Sequence, residues 1–503
     1  MSPNRWLHYF ETQVPLSEEP PRVAARLAGF GPYAEYVVYE SGGKWSYAAG
    51  ARAEVTLDRT GARLTQENEP DVVLPWSDRP LHQVARLLDT VKVPAWRAYG
   101  WATFELSYAK DGKLDHVGDG RLLHLVVPKA EVRIEDGHAH LRAADQETLT
   151  ALLETISSPV ATSEGRPKPM DVRDRGEAEY RTAVSHAVEE INRGDLHKVI
   201  LSRVVDVDED IDLIATYLAG RRGNNPARSF LLNLGGVETT GFSPEIVVKV
   251  SADGRVVSQP LAGTRALTSD LIENESLRAD LLASAKEIYE HAISVKVGTD
   301  ELIDVCVPGS VEVPEFMAIR ERGSVQHLAS QVSGRLAPGF KAWDAFGAVF
   351  PAVTASGVPK EAAYTTIRRH EPESRGLYSG AVLTVDHNGE MDAALVLRSA
   401  YRQNGRTWLR AGAGIVGQST PEREFEETCE KLDSVARYLV PAGGRDALTE
   451  DPAGLDADLV PADGGDALTG ASAGLDADLV PAGGGASTGL DAELVSAGGG
   501  GAR

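Results

Sequence analysis

Two stretches of this chain each carry a pair of glutamates three residues apart, the spacing that places both side chains on one face of a helix. One pair is Glu424 and Glu427, followed by Lys431 four residues later; the other is Glu287 and Glu290. Carboxylate oxygens without Cys ligands are typical of Mg²⁺ or Mn²⁺ sites rather than zinc sites. Each face could also be solvated surface, since Glu–Lys pairs are common on exposed helices.

The elements around these pairs are predicted from local signals. Ser419-Thr420-Pro421 predicts a helix start, because proline is favoured at the first helical position. Residues 276–297 read as a second long helix. A short strand before the first helix enters a predicted glycine turn containing Gly412 and Gly414. Bare backbone amides beside such a cation site would suit an anionic ligand.

A buried arginine is predicted beside that glycine turn. Residues 376–415 read as a three-stranded meander with two Asn-Gly hairpin turns. Counting outward from the turns places Arg398 nearly opposite Tyr378 on one side and Gly412 on the other. A guanidinium buried without an anion is costly, so a bound carboxylate would be a natural partner. An internal Asp or Glu is the alternative.

Several other polar residues lie at the ends of predicted strands. Lys198 begins a strand, where it could be catalytic or a charge that discourages edge aggregation. Glu245 lies at a turn-to-strand junction, where it could equally cap the turn. His327 lies in a strand, and a lone histidine there is more often structural. Thr264 and Thr354 belong to turns of small residues.

Composition excludes some classes of partner. The 503 residues carry 51 basic and 74 acidic side chains, a net charge of −23, with no basic block. Nucleic acids and anionic membrane surfaces are therefore not expected as partners. Two cysteines are too few for a disulfide framework. No apolar run reaches membrane-spanning length, so we expect a cytoplasmic protein.

Four regions are expected along the chain. Residues 1–156 mix short strands and helices, and residues 157–170 are rich in Ser and Pro and read as a linker. Residues 171–440 carry all the candidate site residues. Residues 441–503 form an acidic tail rich in Gly and Ala, with a 20-residue repeat. We expect disorder there, because each repeat has too few apolar side chains for a solenoid.

A set of motifs in the third region resembles the chorismate-utilising enzymes. This family includes anthranilate synthase component I and the aminodeoxychorismate, isochorismate and salicylate synthases. The likeness is strong over about residues 175–440 and weaker before them, and it is closest to salicylate synthases of the mycobacterial type. It implies an α+β fold with two stacked antiparallel sheets, helices outside and the site at one end. The motifs are LHKVILSR, GFSPE, PLAGTRA, KEIYEHA, VTASGVPK, RGLYSG, LRSAY, RAGAGI and PEREFEETCEKL.

The resemblance also implies a reaction. It favours conversion of chorismate to salicylate and pyruvate through isochorismate, for siderophore or other salicylate-derived natural products. Lys198 stands where ammonia-using members have Gln, which implies water as nucleophile and no glutaminase subunit. Residues 350–357 differ from the HPTPAVGG typical of isochorismate synthases. An isochorismate synthase, an anthranilate or aminodeoxychorismate synthase and a non-catalytic relative are the alternatives, and the chain would be a monomer or homodimer.

Roles for individual residues follow from the same resemblance. Lys198 would be the general base and Glu245 the general acid. A Mg²⁺ ion would bind the ring carboxylate of chorismate. Its ligands would be Glu290 and Glu427, with Glu287 and Glu424 acting directly or through water. The residues implied to contact or shape the substrate are Thr264, His327, Thr354, Tyr378, Arg398, Gly412, Gly414 and Lys431.

Overall fold

The computed structural model describes residues 7–158, 165–323 and 325–443. Part of the predicted linker, residues 159–164, and the predicted tail from residue 444 onward lie outside the described residues. Within the described part, no helix is long and apolar enough to cross a membrane.

Strands predominate in the first part of the chain, residues 7–158, where the structure describes four α-helices. Its elements are β1 (Phe10–Pro15), α1 (Pro20–Phe30), β2 (Tyr36–Ser41), β3 (Lys44–Ala49), β4 (Ala53–Asp58), β5 (Gly61–Gln66), β6 (Val72–Pro75), α2 (Pro80–Leu88), β7 (Arg97–Ala102), α3 (Leu106–Lys110), β8 (Leu123–Val127), β9 (Ala130–Glu135), β10 (His138–Ala143) and α4 (Gln146–Ser157).

The second part adds longer strands and the two helices that carry the glutamate pairs. Its elements are α5 (Glu177–Asn192), β11 (Lys198–Val207), α6 (Leu213–Gly223), β12 (Arg228–Leu234), β13 (Val237–Ser243), β14 (Ile246–Val250), β15 (Arg255–Gln259), β16 (Leu261–Ala266), α7 (Leu271–Ala283), α8 (Ala285–Ile303), β17 (Glu312–Arg322), β18 (Val325–Arg335), α9 (Ala342–Val349), β19 (Gly357–Val358), α10 (Lys360–His370), β20 (Ala381–Asp386), β21 (Met391–Leu395), β22 (Ser399–Gln403), β23 (Arg406–Ile415) and α11 (Pro421–Ala436).

The strands form two large antiparallel sheets. The first runs β1-β10-β9-β3-β2-β12-β13-β22-β23-β11-β19, and the second runs β16-β18-β15-β14-β21-β20-β7-β8-β4-β5-β6, with β17 added beside β18. Both sheets therefore take strands from each half of the chain. A buried apolar cluster joins them, with Val37 and Phe230 from the first sheet and Tyr99 and Val382 from the second. The predicted α+β fold of two antiparallel sheets is confirmed.

The helices α8 and α11 lie on different sheets. α11 begins at Pro421 as predicted, whereas the single helix predicted over residues 276–297 is wrong: the chain forms two helices there, α7 and α8, divided at Ser284. α8 packs against β16 and β18 of the second sheet, whereas α11 packs against β23 of the first sheet and against α5. The Ser284 side chain accepts a hydrogen bond from the amide of Glu287 at the start of α8. Thr420 caps α11 in the same way, and Pro421 is its first residue. Such caps satisfy amides that have no partner within the helix.

The predicted three-stranded meander is wrong in one respect. Both Asn-Gly hairpins exist, but β20 and β21 belong to the second sheet, while β22 and β23 belong to the first. The chain crosses between the sheets over residues 396–398. Arg398 has a left-handed backbone with φ of 53°, and its carbonyl accepts a hydrogen bond from the Phe242 amide at 3.1 Å. Hairpin signals are local and do not report which sheet each strand joins.

Candidate functional site

A cleft lies where the two sheets meet α8 and α11. Of the fourteen residues predicted for the site, eleven line this cleft. Three do not line it: Lys198, Glu287 and Glu424. The lining residues from the prediction are Glu245, Thr264, Glu290, His327, Thr354, Tyr378, Arg398, Gly412, Gly414, Glu427 and Lys431. These residues, separated by up to 186 positions in the chain, thus share one concave surface.

Glu245 lies in this cleft between β13 and β14 as a buried carboxyl group. Burial raises its pKa from the ordinary value of 4.5 to about 8, against the opposing effects of a Thr354 hydrogen bond and the Lys198 charge. The Thr354 hydroxyl donates to Glu245 Oε1. The carboxyl group is therefore protonated at neutral pH, the state that a general acid requires.

Lys198 lies at the start of β11 and is fully buried behind the wall of the cleft. Its Nζ lies 3.1 Å from Glu290 Oε1 and donates to Ser294 Oγ at 2.9 Å. Both partners are on α8, and Glu290 also lines the cleft. Lys198 therefore pairs with a predicted metal ligand, and Glu290 connects it to the cleft.

Arg398 presents a buried cation to the same cleft. Within the described residues, its guanidinium makes no hydrogen bond or ion pair with a protein group, and the internal Asp or Glu considered as its alternative partner is not found there. Burial lowers its pKa to about 10, against the raising effect of Glu427. Tyr378 and Gly412 line the cleft with it. An external anion is the partner that would offset the cost of burying this charge.

Gly412 and Gly414 lie within strand β23, so the predicted glycine turn is wrong. A Cβ atom on Gly412 would lie 2.8 Å from Tyr378 Oη and 2.5 Å from the Leu201 carbonyl oxygen. On Gly414 it would lie 1.9 Å from Glu290 Oε1. Glycine is required at both positions because other groups approach the backbone closely, rather than because the chain turns.

His327 is a buried neutral imidazole on β18. Burial, followed by the charges of Arg398 and Lys431, lowers its pKa to about 3. Its Nδ1 lies 3.3 Å from the Gly263 carbonyl oxygen and 3.2 Å from Thr264 Oγ1. A carbonyl only accepts, which assigns the proton to Nδ1 and leaves Nε2 as an acceptor. Nε2 is buried without a hydrogen-bond partner among the described residues.

The four glutamates, two on α8 and two on α11, each have at least one basic partner. The pairs are Glu287 with Arg265 at 3.1 Å, Glu290 with Lys198 at 3.1 Å, Glu424 with Lys286 at 2.8 Å and Glu427 with Lys431 at 2.7 Å. Repulsion between neighbouring carboxylates contributes to their pKa values. Burial and then Glu427 raise the pKa of Glu287. Burial also opposes ionisation of Glu427, but Lys431 and Lys286 lower its pKa.

These carboxylates fit a hard divalent cation by their chemistry. Oε2 of Glu287 and Oε2 of Glu427 are buried and accept no hydrogen bond from a described residue. All four side chains offer only oxygen, which Mg²⁺ prefers. Across the described residues, however, no three acidic, His or Cys side chains are already gathered around one metal position. The carboxylates would have to leave their basic partners to bind an ion together.

Sequence reasoning missed two basic residues of this region. Arg410 lines the cleft from β23, and its Nη2 pairs with buried Glu371 Oε2 at 2.6 Å. It is a charge in a buried strand, the same signal that singled out Arg398. Lys286 directly precedes Glu287, and adjacent helical residues do not share a face. Its contact with Glu424 arises from tertiary packing of the two helices.

Comparison with known proteins identifies the family of this chain. Residues 34–437 match the chorismate binding enzymes. The chain is 42% identical to a salicylate synthase of Mycolicibacterium paratuberculosis, over 85% of this chain and 95% of the relative.

Two solved structures are similar as well. Anthranilate synthase component I from Streptococcus pneumoniae is 25% identical, with a TM-score of 0.66 over 80% of this chain and 92% of that one. The menaquinone-specific isochorismate synthase from Escherichia coli is 22% identical, with a TM-score of 0.66 over 86% and 94%, and shows the fold alone. The chain belongs to the family of chorismate binding enzymes.

Proposed function

We propose that this protein is a Mg²⁺-dependent salicylate synthase, which converts chorismate to isochorismate and then to salicylate and pyruvate. The observation that carries the first step is the pair of buried groups Glu245 and Lys198 beside one anion-binding cleft. Glu245 holds a proton at neutral pH because its pKa is about 8. The second step is supported by the likeness to a protein described as a salicylate synthase, which extends over 95% of that relative.

Substrate binding uses the cations of the cleft. Chorismate has two carboxylates. Arg398, which has no partner of its own within the described chain, binds the enolpyruvyl carboxylate together with Tyr378 and the backbone beside Gly412 and Gly414. Lys431 adds positive charge near this end. Its Nζ donates to the Gly412 carbonyl at 2.9 Å, which keeps it close to the strand.

A divalent ion is the expected counter-charge for the ring carboxylate. Glu290 and Glu427 would hold it, with Glu287 and Glu424 acting directly or through water. When bound, the ion supplies positive charge that reduces the repulsion between the ring carboxylate and the four glutamates.

Water exchange on the ring then needs one base and one acid. Lys198 is the general base that would take a proton from the water that attacks C2. Glu245 gives its proton to the hydroxyl that leaves C4, which departs as water. One water is therefore added at C2 and one is released from C4. General acid–base catalysis of this kind contributes roughly 10²- to 10⁴-fold to a rate.

Pyruvate elimination follows in the same cleft. The C3–O bond breaks while the hydrogen at C2 moves to the enolpyruvyl methylene group, which leaves salicylate and pyruvate. This internal transfer needs orientation more than an acid or a base. His327, whose Nε2 can accept a hydrogen bond, and Thr264 would shape the pocket and orient the intermediate.

An isochorismate synthase is the second candidate, because the acid–base pair suffices for the first step and the fold is shared with such an enzyme. One chromatographic and fluorescence run on chorismate with Mg²⁺ separates the two. We expect salicylate and pyruvate in equal amounts. Isochorismate as the sole end product would refute the salicylate synthase assignment, and the same run with EDTA tests the metal requirement.

The cellular role follows from the product. Salicylate would feed a siderophore or another salicylate-derived natural product, and the enzyme would work in the cytoplasm as a monomer or homodimer. No glutaminase subunit is needed, since water is the nucleophile. Equal turnover with and without added glutamine or ammonium, and no anthranilate formed, is the expected result.

A further inference from the structure

Lys286 lies between the two helices that carry the glutamate pairs. Its Nζ is 2.8 Å from Glu424 Oε1 on α11 and 3.6 Å from Glu287 Oε1 on its own helix. The lysine side chain is 15% exposed, while both carboxylates are almost completely buried. One ammonium group therefore connects the two acidic faces in the first turns of the two helices.

Lys286 differs from the other three cations in how it is held. The ammonium of Lys198 also donates to a serine, that of Lys431 to a backbone carbonyl, and the guanidinium of Arg265 to the Thr264 carbonyl at 2.8 Å. The Lys286 nitrogen is buried, and its contacts within the described residues are to carboxylates alone. Of these four cations, it is the one without a neutral hydrogen-bond partner among the described residues.

Two carboxylates face the Lys286 ammonium group, Glu424 at 2.8 Å and Glu287 at 3.6 Å. A buried carboxylate without a counter-charge is strongly unfavourable. Lys286 thus supplies, from within the chain, positive charge at the same carboxylates that a metal ion would use.

We propose that Lys286 is an internal counter-ion that holds Glu424 and Glu287 in the metal-free enzyme and competes with the divalent cation for them. A metal ion that binds these carboxylates has to displace the ammonium group. The lysine therefore weakens metal binding while it keeps the acidic helices together before the metal arrives. This inference rests on the metal site of the proposed function, but not on which product is formed.

The test measures metal binding directly, by titration calorimetry of Mn²⁺ into the enzyme without chorismate. Lys286→Met removes the charge and keeps most of the apolar length. We expect it to bind Mn²⁺ about 10-fold more tightly than wild type, since one competing unit charge at this distance is worth at least ~1.4 kcal/mol, or tenfold in affinity. Lys286→Arg retains the charge and should stay within about twofold of wild type.

The matched control is Lys296→Met on the same helix. Lys296 is 72% exposed, and its one ion pair among the described residues is with the exposed Asp300. It should bind Mn²⁺ as wild type does, which separates the local effect of Lys286 from the loss of any lysine on α8.

A thermal melt supplies the second readout. Without metal, Lys286→Met should melt below wild type, and Mn²⁺ should raise its melting temperature more than that of wild type. If Lys286→Met folds only with Mn²⁺ present, this requirement also supports the inference. Lys286→Gln repeats both measurements with a second neutral side chain. A folded neutral variant with wild-type or weaker Mn²⁺ affinity would overturn it.

The result is separable from the product assay. Tighter Mn²⁺ binding by Lys286→Met, in an enzyme that makes no salicylate, would leave this inference standing and refute only the proposed reaction. If neither wild type nor the variant binds Mn²⁺, both the counter-ion role and the proposed metal dependence are wrong.

Discussion

The raised pKa of Glu245 predicts that one substitution will increase stability while it removes activity. Glu245→Gln keeps the shape of the side chain and an oxygen for the Thr354 hydroxyl, but it cannot ionise. In the wild-type protein the folded state binds this proton more tightly than the unfolded chain, whose carboxyl group has an ordinary pKa of 4.5. Stability from the group is fully present below pH 4.5 and is lost as pH rises towards 8.

The magnitude follows from the two pKa values. With a folded pKa of about 8, keeping Glu245 protonated at pH 7 costs about 3 kcal/mol relative to pH 4 or below, because each pH unit across this interval is worth ~1.4 kcal/mol. Glu245→Gln lacks this free-energy cost because its side chain does not ionise. For a chain of this size, about 3 kcal/mol corresponds to roughly 3–4 °C in melting temperature.

The assay is a series of thermal melts from pH 5 to pH 9. The difference in melting temperature, variant minus wild type, should grow with pH up to about 8 and then level off, as the titration of one buried carboxyl group requires. Glu361→Gln is the matched control, because Glu361 is 75% exposed and pairs with Lys113 at the surface. A pH-independent difference for Glu245→Gln would show that the carboxyl group is not protonated near neutral pH, and the general-acid role would lose its basis.

Activity should respond in the opposite direction. Glu245→Gln should lower turnover of chorismate by about 10²- to 10⁴-fold, the usual contribution of a general acid. In the wild-type enzyme, kcat/KM should fall about tenfold for each pH unit well above 8, since the acid is then deprotonated. A wild-type profile that stays flat to pH 10 would contradict this assignment.

Three further substitutions test other parts of the cleft. Arg398→Met should raise KM for chorismate by about 100-fold in steady-state assays, because a charge-assisted contact to the carboxylate is lost; an unchanged KM would place the substrate elsewhere. Gly414→Ala should abolish activity, since its Cβ would lie 1.9 Å from Glu290 Oε1. Gly298→Ala on α8 is the control and should retain activity, because a Cβ there would have no other atom within 4 Å. Lys198→Ala should stop water addition at C2, measured as loss of isochorismate and salicylate together; water addition at the wild-type rate would remove Lys198 as the base.

Local signals in the sequence determined several elements correctly. The glutamate spacing and the Ser-Thr-Pro start correctly predicted that both glutamate pairs lie on helices, because helical periodicity and capping depend on residues only a few positions apart. The single helix predicted over residues 276–297 is nevertheless two helices, α7 and α8. The Asn-Gly steps predicted both hairpins for the same reason. The resemblance in the motifs correctly identified the family and the two-sheet fold.

Only the tertiary structure decided how these elements meet. The sheet change at Arg398 and the Lys286–Glu424 contact depend on long-range packing, which periodicity does not report. Glu245 acquires its raised pKa from burial, and its Thr354 partner is 109 residues away. The sequence by itself determined which residues could do chemistry. Their protonation states and partners depend on burial and on contacts between distant segments, which exist only in the folded chain.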